Sequence, residues 1–521
     1  QHVGFLMDGL EAESYDRAYD DRRLVGRILG YFRPESGPML LAAAMVVLTS
    51  LLDAALPLLV ADGLDRVTGD DTGFDRAAWL LVGGVLFAGA LSWTFNYVRQ
   101  SRTARVVGDV VLHLRLDAFR AVMDRDLSFY DEHPSGKLVS RVTSDTEDFA
   151  NTVTLTLNLI SQLLLIVVIT IALFYRDVRL ALLTLAMTPI VVGIALAFRR
   201  IARQSTRGAQ RALSQVNNTV QETMRGISVA KNFRQEETIY GEFQEVNERT
   251  YRITLRQGFI FSGIFPVLFI VAGLGTAVLV YAGGRSVIAG DVSAGDWYLF
   301  LQSIALFWFP LTSIASFWSQ FQQGLSAAER VFALIDATPR VVQRDFTPAP
   351  RLTGRIEFRH VDFWYKEDQP VLSNFSLTIP AGQTVAFVGH TGAGKSTLGK
   401  LVARFYEFQG GDILIDGRDI RGFDLESYRR QLGLVPQLPF LFSGTVADNI
   451  RYPRPDATDA DVETAARRIG GGDWLEALPN GLQTEVGEQG RALSMGQRQL
   501  VALARVLIQD AAIVVLDEAT A

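Results

Sequence analysis

Apolar residues are distributed unevenly along this chain. Between residues 38 and 320 they form long runs, whereas beyond about 353 they come as short runs separated by Gly, Pro and charged residues. Crossing a bilayer takes about 20 helical residues. Six segments meet that length, near 38–61, 77–98, 153–175, 178–198, 258–282 and 296–318. Asp53, Asn96 and Asn158 interrupt three of them. A polar side chain at membrane depth is expected to face protein or water, most simply through an interhelical hydrogen bond.

The charges between these segments give an orientation. Residues 99–152 carry eight Lys or Arg and residues 199–257 carry eleven, while the other connections hold only Arg66 and Arg76, Arg176, and Arg285. The positive-inside tendency places the long arginine-rich connections, both termini and the soluble half in the cytoplasm. Glu and Arg at helical spacing, as in 199–225, predict that the membrane helices run on into two long hairpins. One hairpin tip is expected at 129–136, where Pro134 and Gly136 break the helix, and the other at 226–233. Apolar tips on polar stalks need a docking surface, for which the soluble domain of the same chain is the candidate.

An irregular linker with Pro348 and Pro350 is expected over about 338–352. The alternation in 356–365 predicts a strand. Thr384–Val388 reads as a buried strand running into Gly389-His390-Thr391-Gly392-Ala393-Gly394-Lys395-Ser396-Thr397. That is a phosphate-binding loop. Glycines let backbone N–H groups curl round phosphates at a helix N-terminus, Lys395 reaches the β- and γ-phosphates, and the Ser396 hydroxyl is a ligand for Mg2+. A second apolar run, 512–516, ends in Asp517 and Glu518. It reads as a buried parallel strand whose C-terminal edge points at the phosphates. Asp517 is then expected to hold Mg2+ through water, and Glu518 to polarise the attacking water as general base. Between these lies Ser494-Met495-Gly496-Gln497 at the start of a helical run, a second backbone anion site.

Composition narrows the classes. At 521 residues the chain exceeds one ordinary domain. It is 49% hydrophobic and only 20% charged, with a mean hydropathy of +0.18, which excludes a disordered chain. A net charge of −6 argues against general nucleic-acid binding. Without cysteine there is no disulfide, thiolate nucleophile or cysteine-held metal.

The phosphate loop, the Leu493-Ser494-Met495-Gly496-Gln497 run and the closing acidic strand resemble the ATP-binding-cassette proteins. Six membrane segments ahead of one cassette resemble their exporter branch, with long helices and a domain-swapped arrangement. The resemblance covers roughly residues 20–521. It implies a multidomain fold: an N-terminal cytoplasmic segment and elbow helix (1–37), a six-helix transmembrane domain (38–337), a linker (338–352) and an α/β P-loop cassette (353–521). It implies that Tyr365 stacks on adenine and that Gln437 contacts Mg2+ and senses the membrane domain. By the same resemblance 484–490 touches the coupling helices, which are the tips at 129–136 and 226–233. Ser494, Met495, Gly496 and Gln497 then act on ATP held by a partner's loop, so the chain works as half of a dimer, in an inner bacterial membrane.

Two departures from the family matter. Met495 stands where the family usually has Gly, which leaves homodimer and heterodimer both open. The family continues with a cassette-pairing loop and a switch histidine, and none of His2, His113, His133, His360 and His390 occupies that place, so the cassette is expected to be truncated at its C-terminus. The implied function is ATP-driven export of an amphipathic or hydrophobic drug, lipid or peptide by alternating access. Trp93, Phe95, Phe307, Trp308 and Phe317 offer aromatic surface for such cargo. The alternatives are an importer on the same fold, or an ATP-gated channel or regulatory subunit.

Overall fold

A computed structural model describes residues 21–69, 76–367 and 369–517. The chain divides into two compact units, one made of the residues up to 122 with 139–336, the other of 123–138 with 337–521.

The first unit is helical. It contains α1 (Asp21–Phe32), α2 (Ser36–Gly69), most of α3 (Arg76–Met123), α6 (Thr146–Arg176), α7 (Val178–Arg225), α8 (Ile227–Phe233), α9 (Glu236–Ala289) and α10 (Ala294–Asp336). Among the described residues, five helices are long and apolar enough to cross a membrane: 36–68, 79–123, 135–176, 178–225 and 236–289. The predicted segment 296–318 lies inside α10. Each hairpin arm continues its helix far past the apolar stretch, since propagation costs little once a helix is nucleated. At the second tip α7 stops at Gly226, and α8 ends where Arg234 turns left-handed.

Small and paired polar groups hold these helices together. Gly324 on α10 lies against Thr152 of α6 so closely that any added Cβ overlaps it, which lets the two backbones approach. A π-turn at Arg141–Asp145 leads into α6. It buries Asp145, which accepts two hydrogen bonds from the Arg330 guanidinium at 3.0 and 2.6 Å. The intramembrane Asp53 accepts from Ser92 Oγ at 2.5 Å, and Asn96 and Asn158 both accept from Arg99, so all three polar interruptions make side-chain hydrogen bonds. Of the aromatic residues suggested for a cargo surface, Phe307 is buried in the apolar core and Trp93 is exposed. The side chain of Trp308 lies outside the described residues.

The second unit holds an antiparallel sheet in the order β2 (Gln369–Ile379), β1 (Ile356–Lys366), β3 (Gly410–Ile415), β4 (Arg418–Asp419). The predicted alternation is seen in β1, where Ile356, Phe358, Val361 and Phe363 are buried, with a register shift around His360 (φ +49°). A parallel pair, β5 (Leu432–Val435) with β6 (Ile513–Leu516), forms a second sheet. Two apolar cores result. One joins β1 and β3 to α11 (Lys395–Val402) and α12 (Leu425–Arg429); the other gathers α13 (Val446–Arg451), α14 (Asp459–Arg467), α15 (Asp473–Glu476) and α16 (Met495–Gln509).

Two expectations need correction. Residues 384–388 form no strand and are not buried: Val385, Phe387 and Val388 are exposed, Val388 at 95%. β6 is only half buried, with Val514 and Leu516 exposed. The reason is common to both. A buried strand needs a ladder partner on each side, and among the described residues β6 pairs only with β5 while 384–388 pairs with nothing.

Candidate nucleotide site and tip contact

Residues 389–394 pass from the irregular 384–388 segment into α11, and the turn relies on Gly392 (φ +89°) and Gly394 (φ +83°). L-residues with a side chain rarely adopt that region. At Gly394 a Cβ would also press on Val371 Cγ1 at 3.1 Å. Among the described residues no side chain caps α11, so its first N–H groups are left for an anion. The Lys395 ammonium folds over the loop and donates to the Gly389 and His390 carbonyls at 2.8 and 2.9 Å. Ala393 N–H closes the turn onto His390 O at 3.2 Å.

Tertiary structure then brings distant chemistry to this loop. Ser396 Oγ donates to Asp517 Oδ1 at 2.9 Å, across 121 positions of sequence. The Asp517 N–H is fixed to Val435 O at 2.9 Å, which anchors the carboxylate at the C-terminal end of the parallel pair. Gln437 follows β5 at that same end, two residues beyond Val435. A hydroxyl and a carboxylate converging beside a phosphate loop are hard oxygen donors of the type Mg2+ takes, so these residues fit the ion. Thr397 is buried, and its hydroxyl lies 3.1 Å from that of Tyr365. The exposed Tyr365 ring stands edge-on to Phe363 and Tyr406 at 4.9 and 5.1 Å. Glu518 lies outside the described residues.

Ser494 caps α16. Its Oγ accepts from Gln497 N–H at 3.2 Å, and Gln497 Oε1 accepts from Ser494 N–H at 2.9 Å, a reciprocal capping box. Space beside Gly496 is open and Met495 is exposed, so the helix start presents a bare surface. Among the described residues no hydrogen bond joins 494–497 to 389–397, and the two groups sit on different cores. The 484–490 segment is tied to the start of α13 through Val446 N–H on Thr484 O and Val486 N–H on Gly444 O, at 3.0 and 2.9 Å.

The first hairpin tip belongs to this same unit. After α3 ends, Asp126 caps α4 (Leu127–Glu132), accepting from Ser128 N–H at 3.1 Å, and Pro134 separates α4 from α5 (Ser135–Ser140). The segment 338–352 has neither helix nor strand, yet it is pinned along its length. Asp126 also accepts from Val341 N–H at 3.0 Å, and Glu132 pairs with Arg340 at 2.6 Å. Gln343 donates to Asp424 at 2.9 Å, and Leu352 N–H donates to Gln431 at 2.8 Å. Burial alone would raise the Asp126 pKa, but hydrogen bonds from Ser128, Val341, Arg340 and Phe129 outweigh it and hold the carboxyl below its usual range. On the cassette side the buried Tyr406 donates its hydroxyl to Asp131. Sequence reading missed Tyr406, because an aromatic after the loop helix looks like ordinary core until its hydroxyl is seen to find a partner.

The family described as ABC transporter transmembrane region matches residues 39–311, and that described as ABC transporter matches 372–521. The chain belongs to the ABC transporters. It is an ATPase coupled to transport, built as a transmembrane region followed by a cassette. Among its relatives is an "ATP-dependent lipid A-core flippase" of Syntrophus aciditrophicus, 32% identical over 499 residues, covering 95% of this chain and 82% of that protein. A "Fatty acid ABC transporter ATP-binding/permease protein" of Mycobacterium tuberculosis is 33% identical over 463 residues, 88% of this chain and 72% of that one. A "Multidrug efflux ATP-binding/permease protein" of Mycobacterium bovis is 34% identical over 501 residues, covering 95% of this chain and 41% of that protein.

Proposed function

We propose that this transporter exports a lipid or similarly amphipathic molecule, as one half of a dimer in a bacterial inner membrane with its cassette and termini in the cytoplasm. The observation that carries the reading is the convergence of Ser396 and Asp517, 2.9 Å apart, beside a left-handed glycine loop on a chain with long apolar helices. The substrates named for two of the relatives, lipid A-core and fatty acid, have an apolar body, which supports an amphipathic cargo. In this reading α10 supplies a sixth crossing, and the domains divide near 37, 337 and 352.

The loop 389–397 binds the ATP phosphates, with Lys395 on the β- and γ-phosphates and Tyr365 against adenine. Ser396, Asp517 and Gln437 hold Mg2+, which supplies charge neutralisation on the transferring phosphoryl group. Glu518 takes the proton from the attacking water. The start of α16 at Ser494, Met495, Gly496 and Gln497 suits a role on a partner's nucleotide, because among the described residues nothing of its own cassette lies beside Gly496 and Met495 is exposed. ATP that binds the joined cassettes better than the separated ones shifts the population towards the joined state, and the tips convey that shift to the helices.

The test is ATP hydrolysis by the full-length chain, purified alone and together with any co-encoded homologous subunit. Hydrolysis by the chain alone, abolished by Glu518→Gln, is the outcome for a homodimer with two working sites. Hydrolysis only by the pair establishes a heterodimer and makes Met495 part of its weaker site. No hydrolysis in either preparation overturns the reading.

A further inference from the structure

A cavity of about 340 Å3 opens among α2, α3 and α6 within the membrane unit, a size in the range of small-ligand sites. Its wall is polar where a bilayer protein is otherwise apolar. Asp53, Ser92, Asn96 and Arg99 line it together with Thr49 and Trp93. Asp53 lies inside the first apolar segment, where an ionisable group is costly, and Arg99 stands one residue past the end of the second, so their presence on one wall calls for a reason.

The hydrogen bonds leave both charges open. Arg99 donates Nε–H and one Nη2–H to Asn96 at 3.2 and 2.8 Å, and one Nη1–H to Asn158 at 3.0 Å. A guanidinium has five N–H groups. Three are therefore committed to neutral amide oxygens, which fix its orientation, and two remain. No ion pair forms at Arg99 among the described residues. Asp53 has one partner among the described residues, the Ser92 hydroxyl, which leaves most of its acceptor capacity unused. Independently of the charges, Thr49 is only 5% exposed, lines the cavity, and its hydroxyl has no hydrogen-bond partner among the described residues. A buried hydroxyl left so costs on the order of 1–3 kcal/mol. The exposed Trp93 adds an aromatic face, stacked on Tyr97 at 5.7 Å and 14°.

We propose that this cavity binds the head of a zwitterionic amphiphile, an anionic phosphate on the free donors of Arg99 and an ammonium between Asp53 and the Trp93 face. A phosphate matches the planar fork of a guanidinium, and an ammonium is attracted by both carboxylate and ring. The Thr49 hydroxyl then gains a partner in the same head. Arg99 and Asp53 are each only partly buried and already attract one another at a distance, so a zwitterion, which meets both charges at close range, gains on each side what a singly charged ligand gains on one. The inference rests on the export reading above and narrows its cargo to lipids or detergent-like molecules bearing both charges. It also explains why one wall holds the two signs without a direct pair: the ligand completes it.

The experiment measures binding of three probes to the full-length transporter in neutral detergent, purified in the form in which it assembles. The probes are phosphatidylethanolamine, which carries both charges, phosphatidylglycerol, which carries only the phosphate, and hexadecyltrimethylammonium, which carries only the cation. Arg99→Gln is expected to weaken the two phosphate-bearing probes by roughly tenfold or more, the worth of one hydrogen bond to a charged group, and to spare the cationic one. Asp53→Asn is expected to do the converse, weakening phosphatidylethanolamine and the cationic probe and sparing phosphatidylglycerol. Arg99→Lys should recover part of the phosphate affinity. Competition by soluble phosphoethanolamine at concentrations comparable with the lipid would assign the same chemistry to a free solute; its failure to compete assigns the site to a lipid head.

Unchanged phosphatidylethanolamine affinity in both charge variants overturns the proposal. So does an equal loss of all three probes in either variant, because a merely structural pair would fail without regard to ligand charge. Binding is read without ATP turnover. A transporter that hydrolyses ATP yet binds lipid regardless of these charges refutes only the cavity assignment, whereas one that never hydrolyses ATP refutes the export reading.

Discussion

Replacing Tyr406 by Phe removes one hydroxyl and leaves the ring where it is. The ring is buried, edge-on to Phe363 and Tyr365 at 6.0 and 5.1 Å, so volume and apolar packing survive the change. What disappears is the hydrogen bond to Asp131 on the hairpin tip. Burial first, and then Asp131, raise the ionisation of this hydroxyl above its ordinary value, so it remains a donor at physiological pH. A bond to a charged acceptor contributes about 1.5–3 kcal/mol. Asp131 is exposed, so water can replace the hydroxyl, and the cost falls at the low end of that range. About 1.5 kcal/mol corresponds to roughly tenfold in the equilibrium for seating the tip. The neighbouring Arg340–Glu132 pair is exposed on both sides and is worth about 1 kcal/mol at most. Tyr406 therefore carries a large share of the polar contact.

The assay follows ATP hydrolysis and labelled-lipid translocation in the same proteoliposomes, with amide exchange of 127–132 as the direct reading of the tip. Tyr406→Phe is expected to retain ATP binding, speed exchange at the tip and lower the lipid moved per ATP severalfold. Asp131→Asn should act on the same bond, so the double variant should be little worse than either single one. Strict additivity of the two, or an unchanged ratio of translocation to hydrolysis, would refute the reasoning.

Within the membrane unit, Asp145→Ala leaves Arg330 without its buried carboxylate partner and is expected to lower stability by about 3 kcal/mol or more, read as the unfolding midpoint in detergent; the paired change Asp145→Leu with Arg330→Met should recover most of it. Gly324→Ala forces α10 away from Thr152 and should cost about 1–3 kcal/mol in the same measurement, against a gain of about 0.5–1 kcal/mol for Gly241→Ala, a helical position where space is open. The depressed pKa of Asp126 makes its stabilisation fully present above the ordinary carboxylate value, and it is lost as pH falls through the lower folded value. Exchange at the Val341 amide, corrected for its intrinsic pH dependence, should stay level from about pH 8 to 5, below which loss begins. Asp126→Asn should speed that exchange throughout. A midpoint near neutrality would contradict the assignment.

Much of this protein was legible along the chain because its physics is local. A bilayer sets a length of apolar helix, and any chain that meets it declares itself without reference to its neighbours; α2, α3, α6, α7 and α9 do so. The phosphate loop is likewise contiguous, since left-handed glycines, the lysine and the helix start act within nine residues, Gly389–Thr397. Capping at Ser494 and Gln497 needs only a spacing of three. Tertiary structure decided what depends on residues far apart. The apolar run 384–388 has strand composition, but a strand exists only with a hydrogen-bonded neighbour, and composition does not say whether one arrives. Arg99 counts as one more cytoplasmic arginine until the packing of α2, α3 and α6 places it with Asp53 around a cavity. The contacts Ser396–Asp517, Tyr406–Asp131 and Asp145–Arg330 span 121, 275 and 185 positions. Periodicity reports the environment of a residue's own helix or strand; the identity of a partner that distant is set by the packing of whole elements against one another.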